Sequence, residues 1–264
     1  MSRSSNLLSA PTESWIKPAV REEGAESLEE GVVASLGSLF RLAQLSDSAF
    51  PVGGFSFSSG LEAAVAEGVV RDALTLGDYV RAVVRLAGEC DCVAMLHAYR
   101  AAAEGYLDQL VVSDRRVLDF KTSSEARAMT LKMGRRLTEL LHSTATPPVS
   151  HLVEQWHRWV HSGHTFGTYP IAYAVAALVW GISEEELFVG YLYGVGSSVL
   201  GAALRLMRIT HVETQQIALR LAPLVEELYT HNRHHTLEDM RAFAPMLDVV
   251  ASLHEKGTRR MFMN

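Results

Sequence analysis

Two cysteines in 264 residues, Cys90 and Cys92, leave no disulfide framework and fit a reducing compartment. A basic surplus is also missing. The formal net charge is −6 and the pI is near 6.0, which argues against a nucleic-acid binder. No segment sustains apolar–polar alternation, and no Asn-Gly signal joins two β-rich runs, so strands are not expected. No repeat of solenoid length is visible. Residues 1–10 carry only the Leu7-Leu8 pair, which is no signal-peptide core. Glu22, Glu23, Glu26, Glu29 and Glu30 soon follow, against the acid-poor composition of a transit peptide. The cytoplasm is the expected location. Residues 187–204 lack any formal charge, near the lower length of a membrane span. Their Gly190, Gly194, Gly196, Ser197, Ser198 and Gly201 instead suit a buried helix that neighbours approach closely, and no membrane partner is expected.

What is present reads as helix after helix, with enough apolar residues for a substantial core. Residues 1–35 mix Ser, Pro, Glu and Gly without period and read as a disordered lead-in. A first helix is expected over about 36–45, and a short one through Leu61, Ala64, Val65 and Val69. Thr75 as N-cap, with Asp78 three residues on, should start a helix running through Leu76, Val80, Val83, Ala87, Cys90 and Ala94 until Gly105. Another spans 106–120. Ser123 or Ser124 caps the next, with a core stripe of Ala126, Met129, Met133, Leu137 and Leu140 and a basic solvated face of Arg127, Lys132, Arg135 and Arg136. Thr144 to Pro148 is a break. Helices follow over 151–161 and 169–180, the latter stopped by Gly181, and Ser183 to Glu186 forms a capping box for a long helix ending near Ile209. One more carries Ile217, Leu221, Leu224, Val225 and Leu228, and two short ones cover about 237–243 and 246–254. The fold class is therefore all-α, a single domain of roughly nine or ten helices over 36–264.

Residues 45–62 interrupt this pattern: Leu45-Ser46-Asp47-Ser48-Ala49-Phe50-Pro51-Val52-Gly53-Gly54-Phe55-Ser56-Phe57-Ser58-Ser59-Gly60-Leu61-Glu62. Apolar rings inside a glycine-rich turn mark a folded loop rather than a linker. Asp47 or Ser48 is placed to open an Asx-type turn, and Ser58 or Ser59 to cap the helix behind it. Chemistry fails there on particular positions. Gly54-Phe55-Ser56-Phe57-Ser58 has serine where a nucleophile elbow needs its last glycine, and no strand precedes it. No Gly-Lys-Ser/Thr makes a phosphate loop. Cys90 and Cys92 would face opposite sides of one helix and cannot share an ion. His157 and His161 form an i,i+4 pair without a third ligand at a signature spacing, and His231, His234 and His235 crowd one polar turn. No cofactor is expected.

The run of residues 45–62 resembles the signature of the urease accessory protein F (UreF) family. Asp47, Ser48, Phe50, Pro51, Gly53, Gly54, Phe55, Ser58, Gly60, Leu61 and Glu62 match it. Further pieces are similar: Glu125, Arg127, Thr130, Gly134, Arg135 and Leu137 in a mid-chain helix, Gly163-His164 with Gly167 in a central loop, Gln216, and a tail with His254-Glu255 and Arg260-Met261-Phe262. Phe57 departs from the histidine many members carry, and Met261 from the usual leucine. The resemblance implies an all-helical, non-catalytic dimer that binds the accessory protein UreD (UreH) and the GTPase UreG. It implies a scaffold that couples GTP hydrolysis to nickel insertion into apo-urease. Its candidate contact residues here are those of the opening loop, together with Arg259, Arg260 and Phe262 of the tail. The alternative reading is a direct nickel chaperone using the histidines near 157–164 or 231–235. Within the loop, a recognition surface and a structural support stay open.

Overall fold

The computed structural model describes residues 35–47, 49–145, 150–244, 247 and 262. Among them, eleven α-helices and no strand occur. In chain order they are α1 (Leu36–Ser46), α2 (Leu61–Ala66), α3 (Ala73–Glu89), α4 (Asp91–Ala103), α5 (Asp108–Asp119), α6 (Ser124–Thr144), α7 (His151–Ser162), α8 (Tyr169–Val179), α9 (Glu184–Leu206), α10 (His211–Leu219) and α11 (Ala222–Asn232). Short 3₁₀ turns lie at Gly54–Ser56 and Leu237–Asp239. The expected disordered lead-in, the Pro147-Pro148 break and the helix expected over 246–254, apart from Leu247, lie outside the described residues.

Helix starts follow side-chain chemistry. Ser35 Oγ accepts from the Ser38 amide, and Ser123 Oγ from the Ala126 amide. Reciprocal capping boxes open α3 (Asp72, Thr75), α9 (Ser183, Glu186) and α10 (Thr210, Glu213). Such a cap contributes about 1 kcal/mol. At α3 this corrects the sequence reading. Asp72 is the N-cap and Thr75 occupies N3, because the carboxylate reaches the Thr75 amide at 2.8 Å while the Thr75 hydroxyl closes back on the chain.

α8 is the hub. Ile171 to Ala177 are all buried, and α8 packs against α4 and α6. α9 lies across α3 and α1, with further contacts to α2, α4, α8, α10 and α11. Burying each large apolar side chain, such as Leu76, Leu110, Ile171 or Phe188, contributes about 1.5–3 kcal/mol. α9 is long and apolar enough to cross a membrane by length and composition, but 56% of its apolar window is buried within the fold. The expectation of close approach holds at Gly190, where a Cβ would strike Leu42, Ser46 and Tyr173, but not at Gly194 or Gly201, where a Cβ would meet nothing within 4 Å.

Other boundaries differ from the sequence reading. The helix expected to run past Cys90 divides there, since Cys90 ends α3 and begins α4. Cys92 consequently belongs to a new helix and is as buried as Cys90, not on an opposite wet face. The stripe buried from α6 is Thr130, Gly134, Leu137, Thr138 and Leu141. Ala126, Met129, Met133 and Leu140 are half-buried. Small and hydroxyl residues face inward because α8 crosses closely, and the Thr138 hydroxyl accepts from buried Trp156 at 3.0 Å. The helix expected through Ile217 and Leu228 divides into α10 and α11, with Pro223 in the first turn of α11. α2 ends at Ala66 and α9 at Leu206, both short of the expected Val69 and Ile209. Past Asp239 the chain is not helical through Ala244.

Candidate functional site

The loop at 45–62 is built by a succession of specific bonds. Asp47 Oδ1 accepts from the Ala49 amide at 2.8 Å, and the Asp47 carbonyl accepts from Phe50 at 2.9 Å, which makes an Asx turn. Phe50 sets its ring edge-on to Trp180, and the Pro51 carbonyl accepts from Arg136 Nε at 3.4 Å. Gly53 (φ 83°) and Gly60 (φ 80°) take left-handed backbone, where a side chain is strained. Gly54 lies against Met133 of α6. Ser59 shares the left-handed region (φ 52°), held there as Tyr79 donates to its carbonyl at 2.7 Å.

Neither expected serine is the N-cap of α2; Gly60 is. Ser58 is fully buried, its carbonyl accepting from Leu61 at 3.1 Å and its hydroxyl from the Glu62 amide at 3.4 Å, so it braces the first turn from two residues outside the N-cap. Leu61 and Phe57 are core residues. Phe57, which departs from the resembled signature, lies beneath Lys132, whose Nζ is 5.7 Å from the ring centroid. Phe55 is the exception among these rings. It is 69% exposed. The loop is thus support through most of its length and surface at Phe55.

The central loop, 163–168, is held by a residue the sequence reading passed over. Asp114 of α5 is wholly buried. Its Oδ2 accepts from the Thr165 hydroxyl and from the amides of Phe166 (2.7 Å) and Gly167 (2.9 Å). Its Oδ1 accepts from the Thr168 amide (2.7 Å) and hydroxyl (2.6 Å). Thr168 is the N-cap of α8, so the carboxylate sits at the positive end of that helix. The signal was present: Leu110, Asp114, Val117 and Leu118 share the apolar stripe of α5, and an acid on such a stripe requires partners. On the other side of the loop, Gly134 touches backbone. A Cβ there would collide with Gly167 O, Thr168 C and Tyr169 N. Arg135 Nε reaches the Phe166 carbonyl at 3.4 Å. Both glycine loops therefore rest on α6, one against Met133 and Arg136, the other against Gly134 and Arg135. The basic face expected of α6 is in part a set of clamps on loop carbonyls.

Phe262 joins the first loop. Phe262 is buried, and its amide donates to Glu62 Oε2 at 3.1 Å. Arg205, in the last turn of α9, reaches both: its guanidinium carbon lies 3.9 Å from the Phe55 ring centroid and 4.3 Å from that of Phe262. Asp47, Phe50, Pro51, Gly53, Gly54, Phe55, Ser58, Gly60, Leu61, Glu62 and Phe262 are therefore one connected region. Ser48, Arg259 and Arg260 lie outside the described residues. Beside the region runs a cleft of about 520 Å³, with Phe50, Phe55, Met133, Tyr173, Tyr193 and Ser197 among its walls. It also reaches the pair of Lys121 and Asp91 (2.6 Å), whose second oxygen accepts from Tyr191 at 3.0 Å. Burial acts to lower the Lys121 pKa, yet the Asp91 carboxylate holds it above its usual range. Burial first, and then Asp91, pushes the Cys90 thiol up to about 12, which leaves it a weak nucleophile.

Chemical alternatives find little support in the geometry. His97 Nδ1 lies 2.9 Å from Ser113 Oγ, but the serine proton is directed to the Gln109 carbonyl at 2.9 Å. The Gln109 carbonyl thus competes with the histidine for the serine proton. Among the described residues no group of three His, Cys, Asp or Glu side chains is arranged to hold a metal ion. His142 instead stacks on His157 at 3.9 Å between centroids, and His161 lies tilted by 35° against His157 at 4.1 Å. His231 meets His235 edge-on at 4.8 Å.

Residues 70–222 match the family model UreF. The chain is 39% identical over 230 residues to "Urease accessory protein UreF 2" of Brucella suis, an alignment covering 87% of this chain and 93% of the relative. It is 37% identical over 227 residues to "Urease accessory protein UreF" of Yersinia enterocolitica, covering 86% and 98%.

Proposed function

The chain belongs to the UreF family of urease accessory proteins, and on that premise we propose that it serves nickel-urease maturation as a non-catalytic scaffold. It binds a UreD/UreH-type accessory protein and a UreG-type GTPase, and couples GTP hydrolysis to nickel insertion into apo-urease. It works in the cytoplasm as a homodimer, with no resident cofactor.

The observation that carries this reading is the convergence of the opening loop and Phe262 at Arg205, with Phe55 left facing solvent. An exposed aromatic ring on a rigid, glycine-shaped turn beside arginines has the composition of an interaction hot spot. Asp47, Ser48, Pro51, Gly53, Gly54, Ser58, Gly60 and Leu61 shape the turn. Phe55 makes contact, the buried Phe262 supports the turn from within through Arg205, and Arg259 and Arg260 are assigned to partner binding. The test is co-purification of the untagged chain with tagged UreD- and UreG-type proteins from a urease operon. A stable three-component complex is expected, and a chain that elutes alone from both partners defeats the scaffold reading.

A further inference from the structure

Away from the opening loop, a hollow of about 660 Å³ lies where the turn between α4 and α5 meets α7. The turn is fixed by its own bonds. Gly105 takes left-handed backbone (φ 85°), the Tyr106 amide donates to the Ala101 carbonyl at 2.8 Å, and the Leu107 amide donates to the Gly105 carbonyl at 3.0 Å. Tyr106 is thereby held out at the rim, 63% exposed. α7 contributes His151, Gln155 and Trp159, which recur every four residues along one stripe. Trp159 is half-buried. Its ring packs on that of His164, with centroids 5.3 Å apart, and its carbonyl accepts from the His164 amide at 2.9 Å.

The fixed charge of this hollow has one sign. Asp108 lines it, and among the described residues no lysine or arginine does. None of the ion pairs among the described residues uses Asp108. Arg158, which is not a lining residue, donates to the Gln155 side-chain carbonyl at 3.4 Å. The amino end of α5 opens nearby without a side-chain cap and by itself favours an anion. Asp108, in the first turn of that helix, already supplies the negative charge. What remains is an exposed carboxylate beside a tyrosine and a tryptophan, groups that hold a cation by charge and by π face together.

We propose that the hollow is a recognition site for the guanidinium of an arginine-bearing segment of another protein. The occupant follows from charge complementarity, on a chain whose net charge is −6, and the site does not depend on the scaffold reading. A planar guanidinium can lie along a ring while donating in its plane to the Asp108 carboxylate and the Gln109 side-chain carbonyl. An ammonium group offers a point charge and cannot do both, so lysine should bind more weakly.

The test titrates the full chain with an acetylated, amidated glycine–arginine–glycine peptide, and with the same peptide carrying citrulline, the uncharged analogue, or lysine. Two-dimensional NMR reads the Trp159 indole and the Tyr106 amide, with the buried Trp156 indole as internal control. The arginine peptide should give saturable shifts at the first two and none at the third, with a dissociation constant on the order of 1–10 mM. Asp108→Asn and Tyr106→Ala should each weaken it by about fivefold at an unchanged melting temperature, since both side chains are exposed. The lysine peptide should bind less tightly and the citrulline peptide least. Equal binding of the citrulline peptide, parental affinity in both variants, or no saturation by about 50 mM peptide would overturn the proposal. So would inorganic phosphate that produces the same shifts more tightly than the arginine peptide, which would make the amino end of α5 an anion site instead.

Discussion

Replacing Asp114 by alanine removes one buried carboxylate and abandons three backbone amides, those of Phe166, Gly167 and Thr168, together with two threonine hydroxyls. The hydroxyls can turn toward other acceptors. The amides cannot, because Gly134 presses on the same backbone from α6. Each unsatisfied buried donor costs about 1–3 kcal/mol. The loop is open to solvent at His164 and Phe166, which lets part of it relax into water, so the lower part of the summed range applies. The expected loss is about 4 kcal/mol, a large fraction of the roughly 5–15 kcal/mol that holds a domain together. Asp114→Asn should recover only part of it, since its amide NH₂ confronts donors and its carbonyl serves half the bonds. Urea unfolding monitored by circular dichroism supplies the free energies, and hydrogen exchange at 166–168 localises them. A loss under about 1 kcal/mol in Asp114→Ala, with the three amides still protected, would refute the assignment of Asp114 as the anchor of the central loop.

Two other outcomes follow from the same surface. Gly134→Ala sets a methyl group against Gly167, Thr168 and Tyr169 backbone, and should cost about 2–4 kcal/mol in urea unfolding through forced separation of α6 from α8; parental stability would contradict the close approach. The His157 ring should titrate below 6.5, because partial burial and then the neighbouring His142 and His161 disfavour its cation, with Glu139 opposing. A depressed histidine favours the neutral form in the fold. Its contribution is therefore present above the unfolded value and is lost as pH falls through the folded one. NMR titration gives the midpoint, and the acid-side drop in melting temperature should shrink in His157→Gln; a midpoint at or above 6.5 would contradict the stacked geometry.

Helix content was legible because period, caps and glycine stops agree along most of the chain, as at Ser123, Ser183 and Gly181. What escaped was decided by tertiary contact. The break at Cys90 carries no proline or glycine, and the stripe of α6 rotated because α8 approaches too closely for large side chains at Thr130 and Gly134. Asp72 was overlooked as a cap because Thr75, its reciprocal partner, is itself a favoured cap residue. The opening loop was legible as a shaped turn but not as support or surface, since exposure separates Phe55 from Phe57 two residues away. Arg205 and Asp114 make their contacts across 150 and about 50 residues of chain, beyond any local pattern.

The central claim is that the opening loop and the tail form one partner-binding surface. The most direct measurement is the affinity of the UreD-type partner for three forms: the parent, Phe55→Ala, and a chain lacking residues 256–264. Phe55 is mostly solvent-exposed, so its truncation should weaken binding by about tenfold with little change in melting temperature. Deleting 256–264 should weaken binding further at unchanged helicity. Parental affinity in both altered forms would contradict the claim.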